Sequence, residues 1–285
     1  MTNAGTAVEP DLEQRLVDLE QRLRRLGSVM VAFSGGADSA FLLAAAVRAL
    51  GTENVVAATA VSPSLPASEL EQAAAFARDQ GVRHVTPSTD ELSRARYAAN
   101  GADRCFHCKA ELLDVLTPLR AELDVQAVAT GTNADDVRAG FRPGIRAAAD
   151  AGAVTPLCDA GLTKEQVREA SRVWGLVTAD KPAAACLSSR VAYGVEISRE
   201  RLGRIEQAER DLRAAMIQAG LPIRNLRVRD LGDRARVEVD SELVEALTER
   251  PALLDVVAGF DAVEVDPRGF RSGSMNDALR KKSAR

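Results

Sequence analysis

Apolar residues recur along the chain with two periods. Leu12, Leu16, Leu19, Leu23 and Leu26 fall every three or four positions, the spacing of one helix face, so residues 11–26 are predicted helical. Residues 28–33 (SVMVAF) form a short unbroken apolar run suited to a buried strand. A glycine-rich turn follows, then a helix over 40–50 and a strand over 54–61. A capping box of Ser68 and Glu71 opens a helix over 66–80. Then come a strand over 82–88, a helix over 109–123 and a strand over 125–130. Strands alternating with helices imply a parallel sheet covered on both faces. Thr163, with Gln166 as its box partner, opens another helix that ends near Gly175.

The character changes after Gly194. Residues 198–219 read as a long amphipathic helix closed by Gly220. Residues 224–229 and 234–240 alternate as a strand pair, 241–258 are helical with an interruption at Pro251, and 262–266 form a last strand. The expectation is an α/β fold: a parallel-sheet domain over 1–194 and a smaller α+β domain over 195–285. Residues 1–10 read as disordered, and the basic tail at 280–285 as frayed.

Composition narrows the classes. Hydrophobic residues are 46% and charged residues 27% of 285, enough for a real core, whereas aromatics at 4% leave packing to aliphatic side chains and alanine. A net charge of -4 argues against a nucleic-acid binder, which needs a basic excess. No run approaches the ~18 apolar residues that span a bilayer, and the polar start lacks a signal core. A cytoplasmic location is expected. In a reducing compartment the four cysteines read as free thiols, metal ligands or catalytic groups rather than disulfides.

The chemistry starts at Ser34-Gly35-Gly36-Ala37-Asp38-Ser39, between an apolar strand and a helix. Amides in such a turn point inward as an anion nest, and the helix adds its positive end. Gly35 and Gly36 let a phosphate approach, and the serine hydroxyls add donors. Asp38 is odd beside an anion unless a magnesium ion bridges the two. A plain strand-to-helix turn with a serine cap is the alternative. The Walker pattern is absent.

Cys105 and Cys108 form a C-x-x-C before a helix, Cys186 stands in a polar Ser-Ser-Arg segment, and Cys158 follows Pro156-Leu157. The C-x-x-C has inert, redox and metal-binding readings. Three thiolates around an iron-sulfur cluster leave one iron open to an external ligand. Three thiolates with His107 are the zinc alternative, limited by the place of His107 between two of them.

The S-G-G-x-D-S loop resembles the PP-loop ATP pyrophosphatase superfamily, which implies a Rossmann-like nucleotide domain and cleavage of ATP to AMP and pyrophosphate. More of the chain resembles the LarE-type ATP-dependent sulfur transferases. The matching segments are AFSGGADS (32–39), RCFHCK (104–109), GTNADD (131–136), RPG (142–144) and PL-x-x-AGLTK (156–164). KPAAACLSSRVAYG (181–194), LRVRD (226–230) and GFRSGSMND (269–277) complete the set.

That resemblance implies that the carboxylates of pyridinium-3,5-biscarboxylic acid mononucleotide are adenylated, then converted to thiocarboxylates for a nickel-pincer cofactor. ATP with Mg2+ would sit at Ala32, Ser34, Gly35, Gly36, Asp38, Ser39 and Gly131. Lys109, Arg190, Arg227 and Arg229 would hold the substrate phosphate, and Asp38, Cys186 and Ser189 would carry the chemistry. The C-x-x-C departs from the family's single-cysteine subtype and favours a [4Fe-4S] cluster on Cys105, Cys108 and Cys186, carrying sulfide from a donor. Otherwise Cys186 would sacrifice its own sulfur. A homo-oligomer is implied, of which a hexamer is one form, with the smaller domain binding substrate phosphate and subunits.

Bland readings stand beside these. A solvated strand face competes for Arg227 and Arg229, and a solvated helix face is the default for Glu209. Asp135 and Asp136 support magnesium or cap a helix. Arg271 and Ser272 suit a turn near the site or a subunit contact. Trp174, Tyr193 and His84 read as packing or strand residues. Three other functions compete. Transfer RNA thiolation lacks a basic face here, amide formation gives no reason for three cysteines, and a non-catalytic nucleotide-binding module seldom keeps the intact loop.

Overall fold

The computed structural model describes residues 10–138, 143–182, 185–271 and 273–276. In chain order its helices are α1 (Pro10–Leu26), α2 (Ala37–Leu50), α3 (Ala67–Asp79), α4 (Ala95–Ala98), α5 (Arg104–Glu122) and α6 (Ala134–Arg138), then α7 (Pro143–Asp150), α8 (Pro156–Asp159), α9 (Lys164–Val173), α10 (Arg199–Gln218) and α11 (Val244–Thr248). The strands are β1 (Val29–Ala32), β2 (Val55–Ala58), β3 (Arg83–Val85), β4 (Ala127–Thr130), β5 (Leu226–Asp230), β6 (Arg234–Val239) and β7 (Ala262–Val265). The expectations for most of 1–10, for 280–285, and for Arg142, Ser272 and Asp277 fall outside the described residues, although Pro10 already belongs to α1.

The chain forms two compact units. The first takes Met1–Ser62, Ala67–Asp90 and Cys105–Ala184. Its sheet is fully parallel, in the order β3-β2-β1-β4. Alternate residues of β1 feed two cores. Val29 and Val31 pack with Leu19 of α1, Phe41 of α2, Phe76 of α3 and Val167 of α9. Met30 and Ala32 pack with Leu113 and Leu116 of α5 and Ala148 of α7. A strand buried on both faces must be apolar throughout, which is why β1 and β2 appear as unbroken runs. The α/β class with a Rossmann-like parallel sheet is therefore observed.

Local signals placed several elements well. The Thr163–Gln166 capping box is formed in both directions at the start of α9, and Ser198 caps α10 by accepting from the Arg201 amide. Ser68 lies inside α3 and therefore does not cap it. The C-x-x-C lies within the first turns of α5, which starts at Arg104, five residues before the predicted helix start at 109.

The second unit takes Pro63–Pro66, Glu91–Arg104 and Ala185–Arg285. β5 and β6 pair antiparallel, and β7 joins β6 in parallel. Ala208, Leu212 and Met216 of α10 cover Val228, Val237 and Val239. A cut at 194/195 follows chain order, whereas this unit recruits two earlier segments through buried polar bonds. Ser64 Oγ donates to Glu91 Oε1 at 2.5 Å and meets Tyr97 OH at 2.7 Å. Tyr97 OH meets Ser188 Oγ at 2.6 Å, and Asn100 Nδ2 donates to the carbonyls of Ala192 and Val195. Such groups stay buried only when bonded to one another, so they tie the segments into one unit.

Candidate active site

In the first unit the loop joins β1 to α2. Gly36 is the N-cap of α2 and no side chain caps that end. The first amides of α2 therefore lack partners inside the helix and face outward with the positive end of its dipole. Gly35 holds φ at +70°, open to glycine at no cost. The two hydroxyls mainly knit the loop. Ser39 Oγ donates to Gly36 O at 3.1 Å, Ser34 Oγ lies 3.1 Å from it, and the Gly36 amide donates to Ser34 Oγ at 3.4 Å.

Gly131 follows β4, so it flanks the loop across the β1/β4 crevice, where the connections leave the sheet in opposite directions. A Cβ on Gly131 would stand 2.8 Å from the Ser39 nitrogen and 3.0 Å from its Cα. Close backbone approach is thus the reason for glycine here. Ala32 ends β1 beneath the loop and is nearly buried. All seven predicted nucleotide residues come together.

Burial raises the Asp38 carboxyl above its ordinary range, opposed by the charge of Lys164 and reinforced by Asp136. Its Oδ1 is buried with no hydrogen-bond partner among the described residues. A cation would supply that partner, and one carboxylate plus phosphate oxygens suits magnesium. Among the described residues, no three His, Cys, Asp or Glu side chains are grouped to hold a metal by themselves. Asp135 and Asp136 each accept from an amide at a helix start. Asp135 Oδ2 accepts from the Lys164 amide at 2.9 Å, and Asp136 Oδ2 from the Asn133 amide at 3.3 Å.

Cys105, Cys108 and Lys109 share the first turns of α5. Spacing of three residues puts both thiols on one helix face, Cys105 exposed and Cys108 half-buried. Burial lowers the Lys109 ammonium, and the neighbouring Cys108 charge opposes this. All four cysteines are free thiols. Burial raises the Cys158 thiol, helped by Asp159.

In the second unit Cys186 heads a 3-10 turn over Leu187–Arg190. Ser189 Oγ donates to Cys186 O at 2.7 Å. Arg190 makes a two-pronged pair with Glu209, Nε to Oε1 at 3.0 Å and Nη2 to Oε2 at 3.2 Å. Its Nη1 donates to the carbonyls of Ala185 and Cys186, so Arg190 pins the cysteine turn. Glu209 also accepts from the Val228 amide at 3.0 Å and is mostly buried, which overturns its default as a solvated helix residue. A lone glutamate on a polar helix face gives no local sign of this.

Arg229 is 5% exposed and donates to Glu238 at 2.7 Å and to Ser274 Oγ at 3.1 Å. Arg227 is half-buried beside Phe270, and its guanidinium has one hydrogen bond among the described residues, to Leu226 O. Desolvation, with Arg190 and Arg229 nearby, pushes the Arg227 guanidinium down to about 10. The solvated-face reading of these two arginines therefore fails. Three arginines crowded against two carboxylates leave Arg227 as the cation most in need of an anion. Trp174 stacks on Phe41 at 4.7 Å and Tyr193 lies under Arg104, in keeping with packing. His84, in β3, also bonds Thr59 Oγ1 at 2.9 Å.

Sequence reasoning gave no role to Lys181. Its Nζ donates to Gly35 O at 3.1 Å and to Glu69 Oε2 at 2.7 Å. The KP dipeptide alone offers no sign of that contact.

No family model matches the chain. Over 273 residues it is 32% identical to the pyridinium-3,5-bisthiocarboxylic acid mononucleotide synthase of Lactiplantibacillus plantarum, covering 95% of this chain and 96% of that protein. It is 40% identical over 275 residues to an uncharacterised protein of Synechocystis, covering 95% of this chain and 100% of that one. An uncharacterised protein of Methanocaldococcus jannaschii is 25% identical over 264 residues, or 91% of this chain and 98% of its own.

Proposed function

The chain belongs to the LarE-type family, that of the Lactiplantibacillus pyridinium-3,5-bisthiocarboxylic acid mononucleotide synthase, and on that premise we propose an ATP-dependent sulfur transfer onto a nucleotide. It is an enzyme of the synthase kind. A carboxylate oxygen of pyridinium-3,5-biscarboxylic acid mononucleotide attacks the α-phosphorus of ATP, and the bond to the β-phosphate oxygen breaks. Sulfur then attacks the acyl carbon, AMP leaves with the carboxylate oxygen, and a thiocarboxylate remains. The observation that carries this reading is the uncapped start of α2 beside the left-handed Gly35, a polyphosphate cradle made of backbone.

Asp38 would hold magnesium through Oδ1, lowering repulsion as charge builds on the departing pyrophosphate. Arg227, with Arg229 held by Glu238, would bind the phosphate of the nucleotide. Arg190 and Ser189 would orient the Cys186 turn, and Lys109 would add a cation from α5. Cys105 and Cys108 fit two corners of a cluster by sharing a helix face. With Cys186 they would hold a [4Fe-4S] cluster, which supplies an open iron for sulfide from a donor. Among the described residues no helix is long and apolar enough to cross a membrane. Free thiols suit the cytoplasm, and we place the enzyme there as a homo-oligomer.

Anaerobic reconstitution tests the sulfur source. About four irons per chain are expected, lost when Cys105, Cys108 or Cys186 becomes alanine. No iron, together with a Cys186 that loses its sulfur by mass after turnover, replaces the cluster with the sacrificial route. ATP turnover should release AMP and pyrophosphate in equal amounts and depend on the nucleotide. Arg227→Ala should raise KM for the nucleotide about tenfold while leaving KM for ATP unchanged.

A further inference from the structure

The glycine loop lacks a cation of its own. Its donors are neutral amides, its hydroxyls bond within the loop, and its one charged side chain, Asp38, is acidic. A triphosphate brings several negative charges, so the loop needs positive charge from elsewhere in the unit. Lys164 answers to Asp38 at the far end of the loop. Lys181 instead lies at the glycine turn, with its ammonium 3.1 Å from Gly35 O and 2.7 Å from Glu69 Oε2. An ammonium has three donors, and two are used among the described residues. The side chain is only 14% exposed, so its charge acts with little screening.

The segment that carries Lys181 is braced. Arg168 of α9 donates to the carbonyls of Ala179 and Lys181, each at 3.0 Å. A cavity of about 430 Å3 opens beside the turn, lined among others by Gly35, Gln72, Phe76, Thr178 and Lys181. Thr178 is 6% exposed, and its hydroxyl has no partner among the described residues.

We infer that Lys181 is a ligand of the ATP β- and γ-phosphates, parked on Glu69 until ATP arrives, with Arg168 as its positioning residue. This rests on the reading of the glycine loop as an ATP site. On binding, the phosphate oxygens take the free donor and displace Glu69. When the α–β bond breaks, the same ammonium faces the charge that builds on pyrophosphate, where a fixed, desolvated cation counts most.

Calorimetric titration of the full chain with α,β-methylene-ATP, with inorganic pyrophosphate and with AMP tests this. Lys181→Ala is expected to weaken the ATP analogue and pyrophosphate at least about tenfold and to leave AMP within about twofold. Lys181→Arg should recover most of the loss. The pair Lys181→Gln with Glu69→Gln removes both charges, leaves no orphan carboxylate, and should show the same split should the alanine variant fail to fold. Equal weakening of AMP and the analogue, or no weakening at all, overturns the inference. A wild-type chain that ignores the ATP analogue instead overturns the ATP reading, and the inference falls with it.

Discussion

The glycine loop of the first unit and the arginine cluster of the second both suit anions, yet they are built by different means. The loop uses consecutive residues, neutral backbone donors and a helix end, and its hydroxyls bond one another. The cluster uses full charges brought from residues 190, 227 and 229, fixed by carboxylates at 209 and 238. A neutral cradle costs little to desolvate and tolerates the loss of one side chain. A buried charge cluster fails when a single partner is removed, because the remaining charge stays in a low-dielectric site.

The largest expected effect follows from that contrast. Glu238→Ala leaves Arg229 buried without its carboxylate and should lower stability by about 3–5 kcal/mol in urea unfolding. Ser34→Ala, in the loop, should cost under about 1 kcal/mol. Similar losses at both positions would erase the distinction.

A smaller effect tests the loop where it does depend on shape. Gly131→Ala forces a methyl to within 2.8 Å of the Ser39 nitrogen, so α2 must shift. A stability cost of about 1–3 kcal/mol is expected, with pyrophosphate release reduced at least tenfold. Normal release in this variant would show that the approach of β4 to α2 is incidental.

The smallest effect concerns pH. His84 bonds Thr59, whose hydroxyl donates to Phe33 O at 2.7 Å, just before the loop. Desolvation lowers the His84 pKa below 6.5 in the fold. As pH falls through 6.5 the unfolded chain takes up a proton first, so this stability is full above 6.5 and declines below it. Comparing urea midpoints at pH 7.5 and 5.5, the wild type should lose more than His84→Gln, by less than about 1 kcal/mol. Equal losses would remove His84 from the account of the first unit.

How much was legible depended on sequence distance. The capping box of α9 and the helix periodicity of α10 are short-range devices, and both elements formed as expected. The start of α5 was placed too late because the RCFHC stretch carries no apolar period, although the helix takes it in. Arg227 and Arg229 alternate like an outward strand face. The register sets Arg227 opposite Glu238, and Arg229 reaches that same carboxylate diagonally, so the face is buried and paired. Glu209 was misjudged for the same reason, since its partners lie nineteen residues away on either side.

The sequence by itself determined the parallel sheet, through unbroken apolar runs and alternating elements, and it determined the glycine turn with its uncapped helix start. Both rest on neighbours in the chain, and a nest of amides needs only consecutive backbone in the right conformations. Only the tertiary structure decided which charges are buried, why Gly131 must be glycine, and that Lys181 reaches the glycine turn. Each depends on groups far apart in sequence meeting at bonding distance in a low dielectric, and no local pattern encodes that meeting.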